Sequence, residues 1–199
     1  MRLFALALAA ILAPAGPSAL SAQEAPASST MLWSGPYLGL TFGTGGSDLE
    51  GPGGATGAQD GRETSLITGF VWARGAMVFG VEYDLTLNIK GDYVFGDRVE
   101  VGPRTAAVDW MTSFRGRLGF VEDGTLVYAT AGVGYSDTVS TGRAYDTGYV
   151  LGAGLERRFA GRWAWRGEAL YWGFSPDGAT DRVEVNDAWV VRLGLARYF

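Results

Sequence analysis

Thr125-Leu126-Val127-Tyr128-Ala129-Thr130-Ala131-Gly132-Val133-Gly134-Tyr135-Ser136 alternates with period two. Val127, Ala129, Ala131, Val133 and Tyr135 share one parity. Tyr128, Thr130, Gly132, Gly134 and Ser136 share the other, with Leu126 as an apolar exception at the end. Side chains of a strand point alternately to opposite faces, so this segment has one apolar face and one small or polar face. Glycine interrupts the stretch, which argues against a helix interior.

The same pattern recurs on both sides of it. Over 110–120, Trp110, Phe114, Leu118 and Phe120 oppose Ser113, Arg115, Arg117 and Gly119. Over 76–88, Met77, Phe79, Val81, Tyr83, Leu85 and Leu87 oppose Gly80, Glu82, Asp84, Thr86 and Asn88. Near the end, Trp189, Val191, Leu193 and Leu195 oppose Arg192, Gly194 and Ala196. Segments 36–43, 64–73, 147–158 and 163–173 fit less cleanly and bring the expected strands to eight. Short connections near 74–75, 121–124 and 160–162 alternate with long ones at 44–63, 88–108, 137–146 and 174–187. Tight turns at one end and long loops at the other are the plan of an outer-membrane barrel. A soluble sandwich or lipocalin-like barrel would instead turn the apolar face inward and leave a glycine-rich charged face in water, where glycine only weakens strands. The expected fold is therefore all-β, a closed eight-stranded antiparallel up-and-down transmembrane β-barrel.

Composition narrows the chemistry. Of 199 residues, 31 are glycine, 47% are hydrophobic and 19% are charged. Cysteine and histidine are both absent. That removes disulfides, thiolate sites, Ser-His-Asp triads and HExxH metal sites. Net charge is −5 and Lys90 is the single lysine, so no nucleic-acid footprint is expected. No phosphate-binding glycine loop or nucleophile elbow occurs. Asp177, Asp181 and Glu184 suggest calcium only by type; they lack EF-hand spacing and read as a solvated acidic loop. The chain is expected to be no enzyme and to carry no cofactor or metal.

Residues 1–22 read as a cleaved signal peptide, with Arg2, an apolar run from Leu3 to Ala13 and small residues up to Ala22. The apolar run is too short for a spanning helix. Residues 23–34 read as a short linker and 35–199 as the barrel. Parity places Glu82, Asp84, Arg115, Arg117, Glu156, Arg158, Arg166, Glu168 and Arg192 in the lumen. Charges in so narrow an interior persist only when paired, so a salt-bridged, largely closed lumen is expected, with Arg115 or Arg117 joined to Glu82 or Glu168. Aromatics near strand ends are expected to form two girdles. Tyr37, Trp72, Phe120, Phe159, Trp163 and Phe199 would lie at the turn end, and Tyr83, Trp110, Tyr135, Tyr149, Tyr171 and Trp189 near the loops.

Several segments, in order, resemble the small outer-membrane β-barrel family: the opacity-type, OmpA-transmembrane-like "porin family" proteins of alphaproteobacteria. They are Trp33-Ser34-Gly35-Pro36-Tyr37-Leu38-Gly39, Val78-Phe79-Gly80-Val81-Glu82, Arg115-Gly116-Arg117-Leu118-Gly119 and Leu126-Val127-Tyr128-Ala129-Thr130-Ala131-Gly132. Gly152-Ala153-Gly154-Leu155-Glu156, Glu168-Ala169-Leu170-Tyr171 and Val191-Arg192-Leu193-Gly194-Leu195-Ala196-Arg197-Tyr198-Phe199 complete the set. The last segment resembles the signal read by the barrel-assembly machinery, through Arg192, Gly194 and Phe199; Arg197 stands where an aromatic is usual. The resemblance implies an outer-membrane location, outer-membrane lipid and the assembly machinery as partners, and a structural or surface role. A narrow pore, or a loop-mediated ligand-binding or adhesion protein with an undefined extracellular ligand, are the alternatives. The wall-tethering role of longer relatives is not implied.

Overall fold

A computed structural model of the chain describes residues 33–87, 93–95, 97–140, 142–175 and 182–199. The expected signal peptide and nearly all of the linker lie outside them. Among the described residues there are nine strands: β1 (Gly35–Gly51), β2 (Ala55–Arg74), β3 (Met77–Leu87), β4 (Val99–Val101), β5 (Arg104–Glu122), β6 (Thr125–Val139), β7 (Arg143–Ala160), β8 (Trp163–Phe174) and β9 (Glu184–Tyr198). All pair antiparallel. β2 pairs with β1 and β3, β3 with β5, and each later long strand with the next as far as β9. β1 then pairs with β9, Tyr37 opposite Tyr198, so the eight long strands form a closed ring. β4 is a short addition to β5. Over the part of the ring that all eight share, closure leaves no unpaired edge; the extensions Ala55–Glu63 of β2 and Arg143–Thr147 of β7 are paired on one side.

The turn chemistry explains one end. Asp123 and Gly124 both have positive φ, 48° and 72°, the combination a two-residue hairpin needs to follow the twist of its strands. Gly75 and Gly161, also at positive φ, open the β2–β3 and β7–β8 turns. At the other end the expected long connections prove shorter. The stretch 44–63 is not a loop: β1 and β2 remain paired from Gly35↔Val71 to Gly51↔Ala55, joined by the single turn Pro52–Gly54. β6 and β7 likewise pair out to Val139↔Arg143. The strands thus run well past the length a bilayer requires, which is ~9–11 residues.

The apolar parity faces outward. Leu193 is 70% exposed, Val133 61%, Leu118 57% and Phe114 56%, in a belt continued by Leu38, Leu40, Phe42, Phe70, Trp72 and Phe79. An apolar surface this extensive is incompatible with a water-facing monomer. The inward parity carries the buried charges.

Candidate functional site

The site is the lumen, stacked in three layers along the barrel axis. At the turn end, Trp33, Tyr37, Ile67, Val71, Val78, Leu126, Tyr128, Ala164, Ala196 and Tyr198 form an apolar and aromatic layer. Trp33 meets Tyr198 edge-on at 5.4 Å, and Tyr37 stacks on Tyr198 at 5.2 Å. Leu126, the exception to the alternation, belongs here: its inward parity is right, and its apolar character suits this layer.

The middle layer is ionic. Glu82, on β3, receives both terminal nitrogens of Arg166 from β8 across the barrel, Nη1 at 2.6 Å and Nη2 at 2.7 Å. Arg115, next to it on β5, also donates to it, as does the Tyr37 hydroxyl at 2.5 Å. Glu156 receives Arg117 Nη2 at 2.5 Å and Arg166 Nη1 at 3.2 Å, and the Tyr198 hydroxyl. Glu168 receives Arg166 Nη2 at 2.7 Å, Arg192 Nη2 at 2.6 Å and the Tyr128 hydroxyl at 2.9 Å. Asp84 pairs with Arg192 Nη1 at 2.6 Å. All these carboxylates and guanidiniums are buried. Arginine suits the task because its fork of donors spans two or three carboxylates at once.

Of the expected pairs, Arg115 meets Glu82 directly and Glu168 at 3.5 Å, and Arg117 meets Glu82 at 3.4 Å. Arg117's short contact is instead Glu156. Arg158 stays out of the ionic layer. Its guanidinium lies over the rings of Trp33 and Tyr198, 4.7 Å from each centroid, and Nη1 donates to the Gly161 carbonyl at 2.9 Å. It shares the parity of Glu156 but lies two residues nearer the β7–β8 turn, opposite Ala164 of the turn-end layer.

Tyr37 departs from the girdle reading. Its parity is inward and it is buried, because its hydroxyl reaches Glu82 and Arg117. The other turn-end aromatics face out, with Trp72 stacked on Phe79. Sequence reasoning also missed Tyr128 and Tyr198, whose phenols donate to Glu168 and Glu156 beside the arginines, and Glu63 with Ser65. Ser65 donates to Glu63 at 2.6 Å and accepts from Arg192 at 2.8 Å. Inward parity in 64–73 was the available signal for Ser65.

The loop-end layer is apolar again: Phe95, Met111, Val150, Leu170, Trp172, Val185 and Val190 are among its members. Phe95 comes from the connection after β3 and turns into the barrel mouth. Gln59 ties that connection down, donating to the Asp97 carbonyl at 2.8 Å while its oxygen accepts the Val108 amide at 3.2 Å. Farther out the surface is acidic. The β1–β9 register sets Asp48 opposite Asp187, where burial and then the Asp48 charge raise the Asp187 pKa. Asp177 and Asp181 lie outside the described residues, and Glu184 accepts from Arg182 at 2.8 Å. Gly194 and Phe199, with Arg192 the residues of the expected assembly signal, lie on β9 and just past its end, where the Phe199 amide donates to the Pro36 carbonyl at 2.9 Å.

A closed ring with an apolar belt outside and buried charge inside defines a transmembrane β-barrel. The chain belongs to the family described as the outer membrane protein beta-barrel domain, whose model matches residues 5–196. It is 36% identical over 144 residues to the 22 kDa outer membrane protein of Rhizobium leguminosarum bv. viciae; that match covers 68% of this chain and 61% of the relative, so the chain spans about three-fifths of its length. It is 26% identical over 212 residues to the 31 kDa outer-membrane immunogenic protein of Brucella melitensis, covering 88% of this chain and 87% of that one. Among solved structures, Neisserial surface protein A superposes with a TM-score of 0.55 at 13% identity, over 83% of this chain and 98% of that one. The attachment invasion locus protein of Yersinia pestis, solved with the heparin analogue sucrose octasulfate, gives 0.52 at 14% identity, over 83% and 99%. Such identities establish the fold alone. The protein is an outer-membrane β-barrel, and its matched relatives are named as outer membrane proteins.

Proposed function

We propose that the chain is a non-enzymatic structural barrel that presents its strand extensions outside the cell and conducts nothing. The filled lumen carries this reading. An ionic layer with its carboxylates all engaged lies between two apolar layers, so an ion crossing would have to leave water and displace paired guanidiniums. Outer-membrane lipid and the barrel-assembly machinery are its partners, the latter reading Arg192, Gly194 and Phe199. The sulfated ligand of the Yersinia protein does not suit this chain: over the described residues of 44–62, 97–109, 137–147 and 182–187, carboxylates outnumber guanidiniums two to one.

Cysteine labelling tests the display, because the chain has no cysteine of its own. Glu50→Cys, exposed near the end of β1, should react with an impermeant maleimide on intact cells. Arg74→Cys, at the β2–β3 turn, should react only after the outer membrane is opened. The opposite accessibility, or recovery of the protein from the soluble periplasm, would remove the reading.

A further inference from the structure

At the turn end, exposed arginines are unevenly placed: Arg74 stands alone at the β2–β3 turn, and the others gather on another wall. Arg157 on β7, Arg162 in the β7–β8 turn and Arg197 on β9 are all exposed on one side of the barrel. They are close neighbours in the sheet. Trp163 is opposite Arg197 and Trp165 is opposite Arg157 in the strand register, and the Tyr198 amide donates to the Arg162 carbonyl at 2.9 Å. Arg197 is held over the rings of Phe199 and Trp163, 5.2 and 5.7 Å from their centroids. Among the described residues none of the three forms an ion pair with a carboxylate, whereas at the loop end Arg143 pairs with Asp109 and Arg182 with Glu184. Among the described residues, the exposed side-chain carboxylates at the turn end, Glu122 and Asp123, sit away from this wall at the β5–β6 turn.

Aromatic rings at a strand end mark the level of the lipid headgroups, and a guanidinium stacked beside them is fixed at that level. Its planar donors match a phosphate. We propose that the turn end of the β7–β8–β9 wall is a docking surface for the headgroups of anionic glycerophospholipids, with Arg162 and Arg197 on the phosphate and Arg157 extending the basic patch. This rests on the barrel standing in the membrane as argued above, with its turns on the periplasmic side. The acidic loop end makes the preference one-sided, favouring the periplasmic leaflet.

Protein refolded into phosphatidylcholine vesicles containing a minor fraction of phosphatidylglycerol should retain spin-labelled phosphatidylglycerol over spin-labelled phosphatidylcholine by about fivefold, the scale of one engaged basic residue at an anionic surface. The selectivity should fall as salt is added. The Arg157→Gln/Arg162→Gln variant, which leaves the last strand intact, should lose most of it, and adding Arg197→Gln should bring it to unity. Arg98→Gln, at the loop end, should leave it unchanged. Heat-modifiable gel migration of each sample reports the barrel separately from the lipid preference. A folded wild type without selectivity, or a folded triple variant that keeps it, overturns the proposal.

Discussion

Gly154 has no side chain because Tyr128 needs the space. A Cβ there would stand 2.4 Å from the Tyr128 hydroxyl oxygen, which donates to Glu168. Gly154→Ala should therefore cost about 1–3 kcal/mol, the usual penalty for overpacking, read as a lowered urea midpoint in lipid vesicles. Glu82 offers the sharper test. Glu82→Leu strands Arg115 and Arg166 without their shared carboxylate, and should cost about 3–5 kcal/mol. Arg115→Met/Glu82→Leu should cost less than the two single changes added together, with a coupling of about 0.5–3 kcal/mol in a double-mutant cycle. Additive costs would mean a wet and unpaired lumen. Ala131 tests the outer face. It lines a groove of about 560 Å³ on the outer wall, beside Gly116 and Leu151, so there is room for a larger side chain. Ala131→Arg should still cost about 2–4 kcal/mol in the bilayer, from burying charge in hydrocarbon rather than from a clash. Unfolding in vesicles as stable as wild type would place β6 in the wrong parity.

At the scale of the element, the spanning halves of the strands were legible because lipid outside and charge inside impose a strict period of two. Leu193, Val133 and Leu118 could only be outward if Arg192, Thr130 and Arg117 were inward. The extensions were not legible. Beyond the membrane both faces of β1 and β2 carry small and polar residues, so Gly45, Gly46, Asp60 and Gly61 read as a loop. Their glycines are cradles instead: a Cβ on Gly45 would stand 2.8 Å from the Phe95 ring, and Gly61 faces the Phe95 backbone. Tyr37 was misread for a related reason. Position near a strand end suggests a girdle, whereas inward parity and a distant carboxylate decide the matter. Which Arg meets which carboxylate depended on register and cross-barrel distance, which no local pattern carries. Phe95→Ala should cost about 3–5 kcal/mol by emptying the loop-end layer, measured by thermal unfolding. It should leave the ionic layer closed.

For the whole molecule, the inside-out arrangement fixes location, and the proposal that the barrel does not conduct rests on its layered lumen. Eight strands give an interior that side chains can fill, and here they fill it from Trp33 at the turns to Trp172 near the loops. The most direct measurement is planar-bilayer recording on refolded, heat-modifiable protein. The account predicts no stepwise conductance from wild type, nor from Phe95→Ala, whose ionic layer is intact. Reproducible unitary steps from the folded wild type would contradict it.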